Sequence, residues 1–157
     1  VSGEFEARLA ELEARVAELE RREVGAPTEK AAPTGGEIAY RGDVHLHGDV
    51  TWDIGYSPDG VLDLSVARTT DVLAALGHPV RLQIVKVLLR GPANASELQE
   101  AVGLGSTGQV YHHLKVLGSA HIVEQHGRGE YRVGAKKVVP LLVSMLAAAD
   151  ISGELGI

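Results

Sequence analysis

Apolar residues along this chain change their spacing three times, and each change predicts a different element. Phe5, Leu9, Leu12, Val16 and Leu19 recur at intervals of four and three, with Glu and Arg between them, so residues 1–23 read as a heptad helix. Fewer than three heptads make a marginal coiled coil alone. The helix pairs with a second copy if a dimer formed elsewhere brings the two together, or it is a solvated helix or one packed on its own domain. Residues 24–37 hold Gly, Pro, Thr and Ala without period and read as a flexible linker. Between Tyr40 and Tyr56 the period is two: Val44, Leu46, Val50, Trp52 and Ile54 alternate with Asp43, His45, His47, Asp49, Thr51 and Asp53. That is a half-buried strand pattern. Gly-Asp-Val occurs at 42–44 and again at 48–50, and Tyr56-Ser-Pro-Asp-Gly60 is a turn signal, so residues 38–63 predict a small hairpin or meander leaning on the helical region C-terminal to it.

From Leu64 onward the pattern is helical. A first helix runs from Leu64 to Leu76 and ends at Gly77. His78 is placed to cap the next, with Pro79 at its first position, where a missing N–H costs nothing. That helix extends to about Arg90 with Val80, Ile84, Val87 and Leu88 on its core face, and Gly91-Pro92 stops it. Two capping boxes come next, Ser96-Glu-Leu-Gln99 and Ser106-Thr-Gly-Gln109, separated by the turn Gly103-Leu104-Gly105. Helix, short turn, helix is the unit that inserts its second member into a DNA major groove. On that second helix Val110, Leu114 and Leu117 form one stripe at about 100° per residue and must face the core. The opposite side presents Gly108, Gln109, His112 and Lys115, with Thr107 and Tyr111 on its flank and Ser106 at its start. Gln pairs bidentately with adenine, Lys neutralises phosphate, and a helix N-terminus favours an anion. His113, beside the core stripe, reads as a partly buried structural histidine.

Ile122–His126 and Glu130–Val133 flank Gly127-Arg128-Gly129 and predict a hairpin. Coming directly after the candidate recognition helix it reads as a wing, with Arg128 at the tip and Arg132 on the return strand as phosphate or minor-groove contacts. The closing run from Lys136 to Asp150 is apolar nearly all round, and its Pro140 is tolerable only in a first turn. Such a helix needs a second covering surface, so Val138, Leu142, Met145, Leu146 and Ala149 are candidate dimer contacts. The fold class expected is mainly α, of α+β type: a winged helix-turn-helix domain over 64–152, with a short N-terminal coiled-coil helix and a small β-hairpin or meander.

Composition sharpens this picture at a few points. Hydrophobic residues make up 45% of the 157 but aromatic ones only 4%, so the core is built from Leu, Val, Ile and Ala. Cysteine is absent, which removes disulfides, thiolate metal sites and cysteine nucleophiles. No apolar run reaches the ~18 residues that span a bilayer, and a cytoplasmic protein is the expectation. The net charge of −6 divides unevenly: residues 1–67 carry six basic and fourteen acidic side chains, residues 68–157 nine basic and seven acidic. DNA meets the field of one face rather than the sum, so the mildly basic second half permits duplex binding. Nothing matches a P-loop, a dinucleotide-binding glycine signature or a nucleophile elbow, so an enzyme is not expected. The rival class is a winged-helix interaction adaptor using the acidic heptad helix.

Leu73-Ala-Ala-Leu-Gly-His-Pro-Val-Arg-Leu-Gln-Ile-Val85, Ala95-Ser-Glu-Leu-Gln-Glu-Ala-Val-Gly-Leu104 and Tyr111-His-His-Leu-Lys-Val-Leu117 together resemble the ArsR-type winged-helix family of bacterial regulators, over about residues 66–152. The resemblance implies a homodimer held by the first and last helices of the domain. It also implies binding to a palindromic operator in double-stranded DNA, usually as a repressor released by an effector. Metal-sensing members use cysteine pairs near the third helix, or His and Asp along the last. Here the third helix has neither Cys nor His and the last has only Asp150, so no family metal site carries over and no cofactor is implied. Outside the resemblance, Asp43, His45, His47 and Asp49 share one face if they lie on a strand. They are then either a solvated polar face or a His-x-His site for a divalent metal such as Zn, Ni or Cu.

Overall fold

The computed structural model describes residues 35–156 together with Arg8 and Arg15, which are helical and exposed. The chain divides into two units, residues 1–36 and 37–157. The heptad seam and nearly all of the 24–37 linker lie outside the described residues.

The second unit opens with two antiparallel strands, β1 (Ile38–His45) and β2 (Asp49–Tyr56), with Val44 opposite Val50 and His45 opposite Asp49. Their loop is Leu46-His47-Gly48, and Gly48 takes the left-handed backbone (φ 82°) that three-residue hairpin loops need. The hairpin rests on the last helix. A Cβ on Gly42 would meet the Val139 side chain at 2.7 Å, so only glycine lets the strand come this close. Val44 and Val50 pack against the core of the domain.

Where the turn signal Tyr56-Ser-Pro-Asp-Gly60 stands, a short helix α1 (Pro58–Leu62) forms, capped by Ser57 Oγ, which accepts from the Gly60 N–H at 3.1 Å. The Ser-Pro-Asp-Gly signal serves a turn and a one-turn helix equally. Helix α2 (Val66–Leu76) begins two residues later than the apolar pattern suggested. Helix α3 (Pro79–Leu88) starts as expected, His78 Nδ1 accepting from the Val80 N–H at 3.2 Å.

The cap of α4 (Ala95–Val102) is Asn94, not Ser96. Asn94 Oδ1 accepts from the N–H groups of Ser96 and Glu97, and the Glu97 carboxylate accepts from the Asn94 N–H at 2.8 Å. Two overlapping boxes are written in this stretch. The earlier one prevails where Ala93 and Asn94 also pair as a strand, β3, and where Ala95 and Leu98 become buried. Gly103 (φ 68°) ends α4, with the Leu104 N–H reaching the Gln99 carbonyl at 3.1 Å. Helix α5 (Thr107–Ser119) comes at once after it.

Strands β4 (Glu124–His126) and β5 (Glu130–Arg132) form the wing, and the sheet order is β3-β5-β4. Helix α6 (Ala135–Ile151) closes the domain. Its Pro140 is the sixth helical residue rather than part of the first turn, so the Lys136 carbonyl lacks its usual donor. Ile84, Val85, Leu98, Val110 and Leu117 lie at the centre of one core to which α2 to α6 and the wing all contribute. The fold is mixed α+β, a helix-turn-helix with the small sheet of a winged topology.

Candidate nucleic-acid interface

Helix α5 buries Val110, Leu114 and Leu117, keeps His113 and Val116 half-buried beside them, and turns its opposite side outward. Gly108, Gln109, His112 and Lys115 are exposed, Tyr111 is 50% exposed and Thr107 is half-buried. Ser106 stands at the N-cap, its Oγ accepting from the Gln109 N–H at 3.4 Å. The remaining first-turn N–H groups have no partner within the helix and are offered to water or an anion.

Gln109 does not complete the expected box. Its Oε1 accepts from the Gly105 N–H at 3.2 Å, bracing the turn between the two helices. Bidentate pairing with a base therefore requires that bond to open, whereas the amide NH2 is free to donate as it stands.

Behind this face lies a group that spacing could not show. Arg81 reaches from α3 to the end of α2, its Nε donating to the Ala75 carbonyl and a terminal nitrogen to the Ala74 carbonyl. It lines a recess with His112 and Lys115, which adds a cation beside α5. The three lining residues stand on helices more than thirty positions apart along the chain, so no local motif signals the recess. His113 packs its ring 4.9 Å from that of His78. Its Nδ1 is buried without a hydrogen-bond partner, and burial, then His78, His112 and Arg81, hold its pKa below the ordinary histidine value.

In the wing, Gly127 and Gly129 both take left-handed backbone and place the exposed Arg128 at the tip. Arg132 Nε donates to Glu124 Oε1 at 2.8 Å across the strands, so this guanidinium is shared with a carboxylate. Among the described residues no hydrogen bond or ion pair joins Arg128 or Arg132 to α5.

Of the four candidate metal ligands, Asp43, His45 and Asp49 lie together and His47 lies apart. His45 lies between Asp49, at 2.7 Å from Nδ1, and Asp43, at 3.4 Å from Nε2, and these carboxylates raise its pKa. His47 belongs to the loop rather than to the strand, and it lines a cavity of about 210 Å³ with His126 and Arg132. The left-handed Gly48 breaks the alternation that had placed all four on one face. Among the described residues no group of three or more His, Cys, Asp or Glu is arranged to hold a metal ion.

The α6 candidates separate as well. Val138 is only 8% exposed and belongs to the domain's own core, so it is not available to a second chain. Leu142 and Met145 are half-buried against that core. Leu146 is 56% exposed, and with Ala149, Leu73 and Leu82 it lines an apolar groove between α2, α3 and α6. No described helix is long and apolar enough to cross a membrane.

A helix-turn-helix domain family matches residues 76–126, the stretch from the end of α2 to the end of β4. No curated protein matches the chain. Among solved structures, the transcriptional repressor BigR from Xylella fastidiosa is 28% identical, with 52% of this chain and 86% of that chain covered and a TM-score of 0.44. A homodimeric winged helix-turn-helix DNA-binding domain from Mycobacterium bovis is 26% identical over 55% of this chain and 83% of that one, with a TM-score of 0.47. NolR from Sinorhizobium fredii is 22% identical over 62% and 95%, with a TM-score of 0.48.

Proposed function

We propose that this chain is a DNA-binding transcription regulator that lays α5 in the major groove of a duplex. One observation carries the reading: the helix after the tight turn is anchored by a buried apolar stripe, and its polar face, including His112 and Lys115, is exposed beside a capped N-terminus. A flat polar helix face of this kind suits base edges and phosphates better than a protein partner, whose interface would be richer in apolar anchors. Arg128 at the wing tip is the second phosphate contact, and Arg132, whose Nε donates to Glu124, joins it through its terminal nitrogens.

The working unit in this proposal is a homodimer. Leu73 on α2 and Leu146 and Ile151 on α6 are exposed, and the two leucines line a groove of about 650 Å³. Exposed leucines around an apolar groove favour a second protein surface, and a second copy of the same face closes the set by two-fold symmetry. Two α5 helices about one DNA turn, roughly 34–36 Å, apart would then read a palindromic operator. Repression in the cytoplasm, relieved by an effector, is the regulatory form we assign to it by its ArsR-type motifs.

The test is binding to duplexes selected from genomic fragments, followed by fluorescence anisotropy over a salt series. Affinity should fall steeply with salt. Lys115→Ala should weaken binding to every duplex and reduce the salt slope by about 1, whereas Gln109→Ala should change sequence preference. Wild type failing to bind any duplex at low ionic strength would sink the proposal and favour an interaction adaptor.

A further inference from the structure

On the flank of the domain, a cavity of about 600 Å³ opens between α2, the end of α5 and the start of α6. Its volume falls within the ~300–1,000 Å³ of small-molecule sites. The lining has two parts. Val72, Ile122, Pro140 and Leu141 supply an apolar side, while Arg68 and Lys137, with His121 beside them, bring two cations against a single carboxylate, Asp71. Among the described residues none of these four side chains is in an ion pair, so the excess positive charge is not answered from within.

Two further features belong to the same place. His121 is the only described non-glycine residue with positive φ, at 57°, a conformation that costs energy unless the surroundings impose it. It ends α5: its N–H goes to the Gly118 carbonyl and that of Ile122 to the Leu117 carbonyl, both at 2.9 Å. Those bonds occupy carbonyls whose partial negative charge would otherwise oppose an anion at this helix end.

We propose that this cavity binds an amphipathic organic carboxylate, its tail against Val72, Ile122 and Leu141 and its carboxylate on Arg68 and Lys137. An apolar wall with a cationic rim selects amphipathic anions over both neutral hydrocarbons and inorganic anions, because such a ligand satisfies both halves, and a carboxylate matches the Arg68 fork. The cavity uses a different face of α2 from the one that carries Leu73. Because one wall is the end of α5 and another the start of α6, a bound ligand bridges the groove-reading helix to the dimer helix. That consequence for DNA rests on the function proposed above; the binding itself does not.

Isothermal titration of the full chain with octanoate and with phenylacetate tests the site, with octanamide and phenylacetamide as uncharged counterparts. At least one carboxylate should bind saturably, with Kd at least tenfold weaker for its amide and at least tenfold weaker in the double variant Arg68→Gln, Lys137→Gln. Neither carboxylate saturating, the amide binding as tightly, or the double variant keeping wild-type affinity each overturns the site. The amide comparison uses wild-type protein, so it decides even if the variant fails to fold. With a selected duplex, saturating carboxylate should change DNA affinity at least threefold. Saturable binding with unchanged DNA affinity removes the coupling and keeps the site, whereas no duplex binding in any condition removes the DNA reading alone.

Discussion

The α4–α5 pair and helix α6 belong to one core but are finished in different ways. Both members of the pair have side-chain caps, Asn94 and Ser106, and α4 closes on a left-handed glycine. Helix α6 has Gly134 at its N-cap position with no side-chain cap, a proline in its second turn, and Leu146 and Ile151 exposed. Local signals therefore specify the pair as a self-contained unit whose outer face is polar. Helix α6 depends on packing, first on its own core through Val138, Val139 and Leu141, and then on whatever covers its second half. An exposed face that is polar invites a hydrated, charged partner, and one that is apolar invites protein. Substitutions in the pair should accordingly change folding or DNA binding, and outward ones in α6 should change assembly.

The largest effect should come from the centre of the pair. Leu117 is fully buried, so Leu117→Ala should cost about 2–5 kcal/mol through lost burial and the cavity left behind. Urea unfolding followed by circular dichroism measures it, and a loss below about 1 kcal/mol would mean that this stripe does not anchor α5. Next comes the contrasting change on α6. Leu146→Asp should leave unfolding within about 0.5 kcal/mol when measured on the monomer, since the side chain is exposed there. It should weaken self-association at least tenfold in sedimentation equilibrium. Unaltered association would show that this face is not the dimer surface.

The same contrast governs what could be read from the sequence. The stripe on α5 and the start of α3 were legible because both are local: a 3.6-residue period in one case, a histidine followed by proline in the other. The start of α4 was not, because Asn94-x-x-Glu97 and Ser96-x-x-Gln99 are both well-formed boxes and the choice depends on pairing with β5, far along the chain. Strand β3 is two residues long and has no period to detect. His47 reads as part of a strand face because the Gly-Asp-Val repeat sustains an apparent alternation through what is a loop. Val138 fell to the wrong side of α6 because a helix apolar all round carries no phase. The polar face of α5 was legible as a set of residues, but two details were not: Gln109 accepts from Gly105 rather than from Ser106, a choice between neighbouring N–H groups, and Arg81 comes beside His112 and Lys115 only through the packing of α3 on α5.

A smaller effect tests how much the caps of the pair matter. Asn94→Ala removes an acceptor for two N–H groups and should cost about 1 kcal/mol, while Ser96→Ala should cost a few tenths at most, Ser96 being inside the helix and exposed. Equal losses in urea unfolding, or the larger loss at Ser96, would return the start of α4 to the later box.

The smallest expected effect separates the pair from α6 by pH. The folded state holds the His113 pKa below the 6.5 of an unperturbed histidine, chiefly through burial and then through the neighbouring His78, His112 and Arg81. Between that lowered value and about 6.5 the unfolded chain binds the proton more readily, so stability is complete above pH 6.5 and declines as pH falls below it. His45 acts with the opposite sign. Its carboxylate partners raise its pKa, so its contribution is present below about pH 6.5 and is lost as pH climbs through the raised value, but it is fully exposed and the contribution is slight. Helix α6 contains no histidine. Thermal unfolding between pH 7.5 and pH 5 should therefore show a declining midpoint on the acid side that His113→Leu flattens and His45→Asn steepens. A His113→Leu curve parallel to wild type throughout that range would mean that the half-buried ring on α5 is not what makes the helix-turn-helix acid-sensitive.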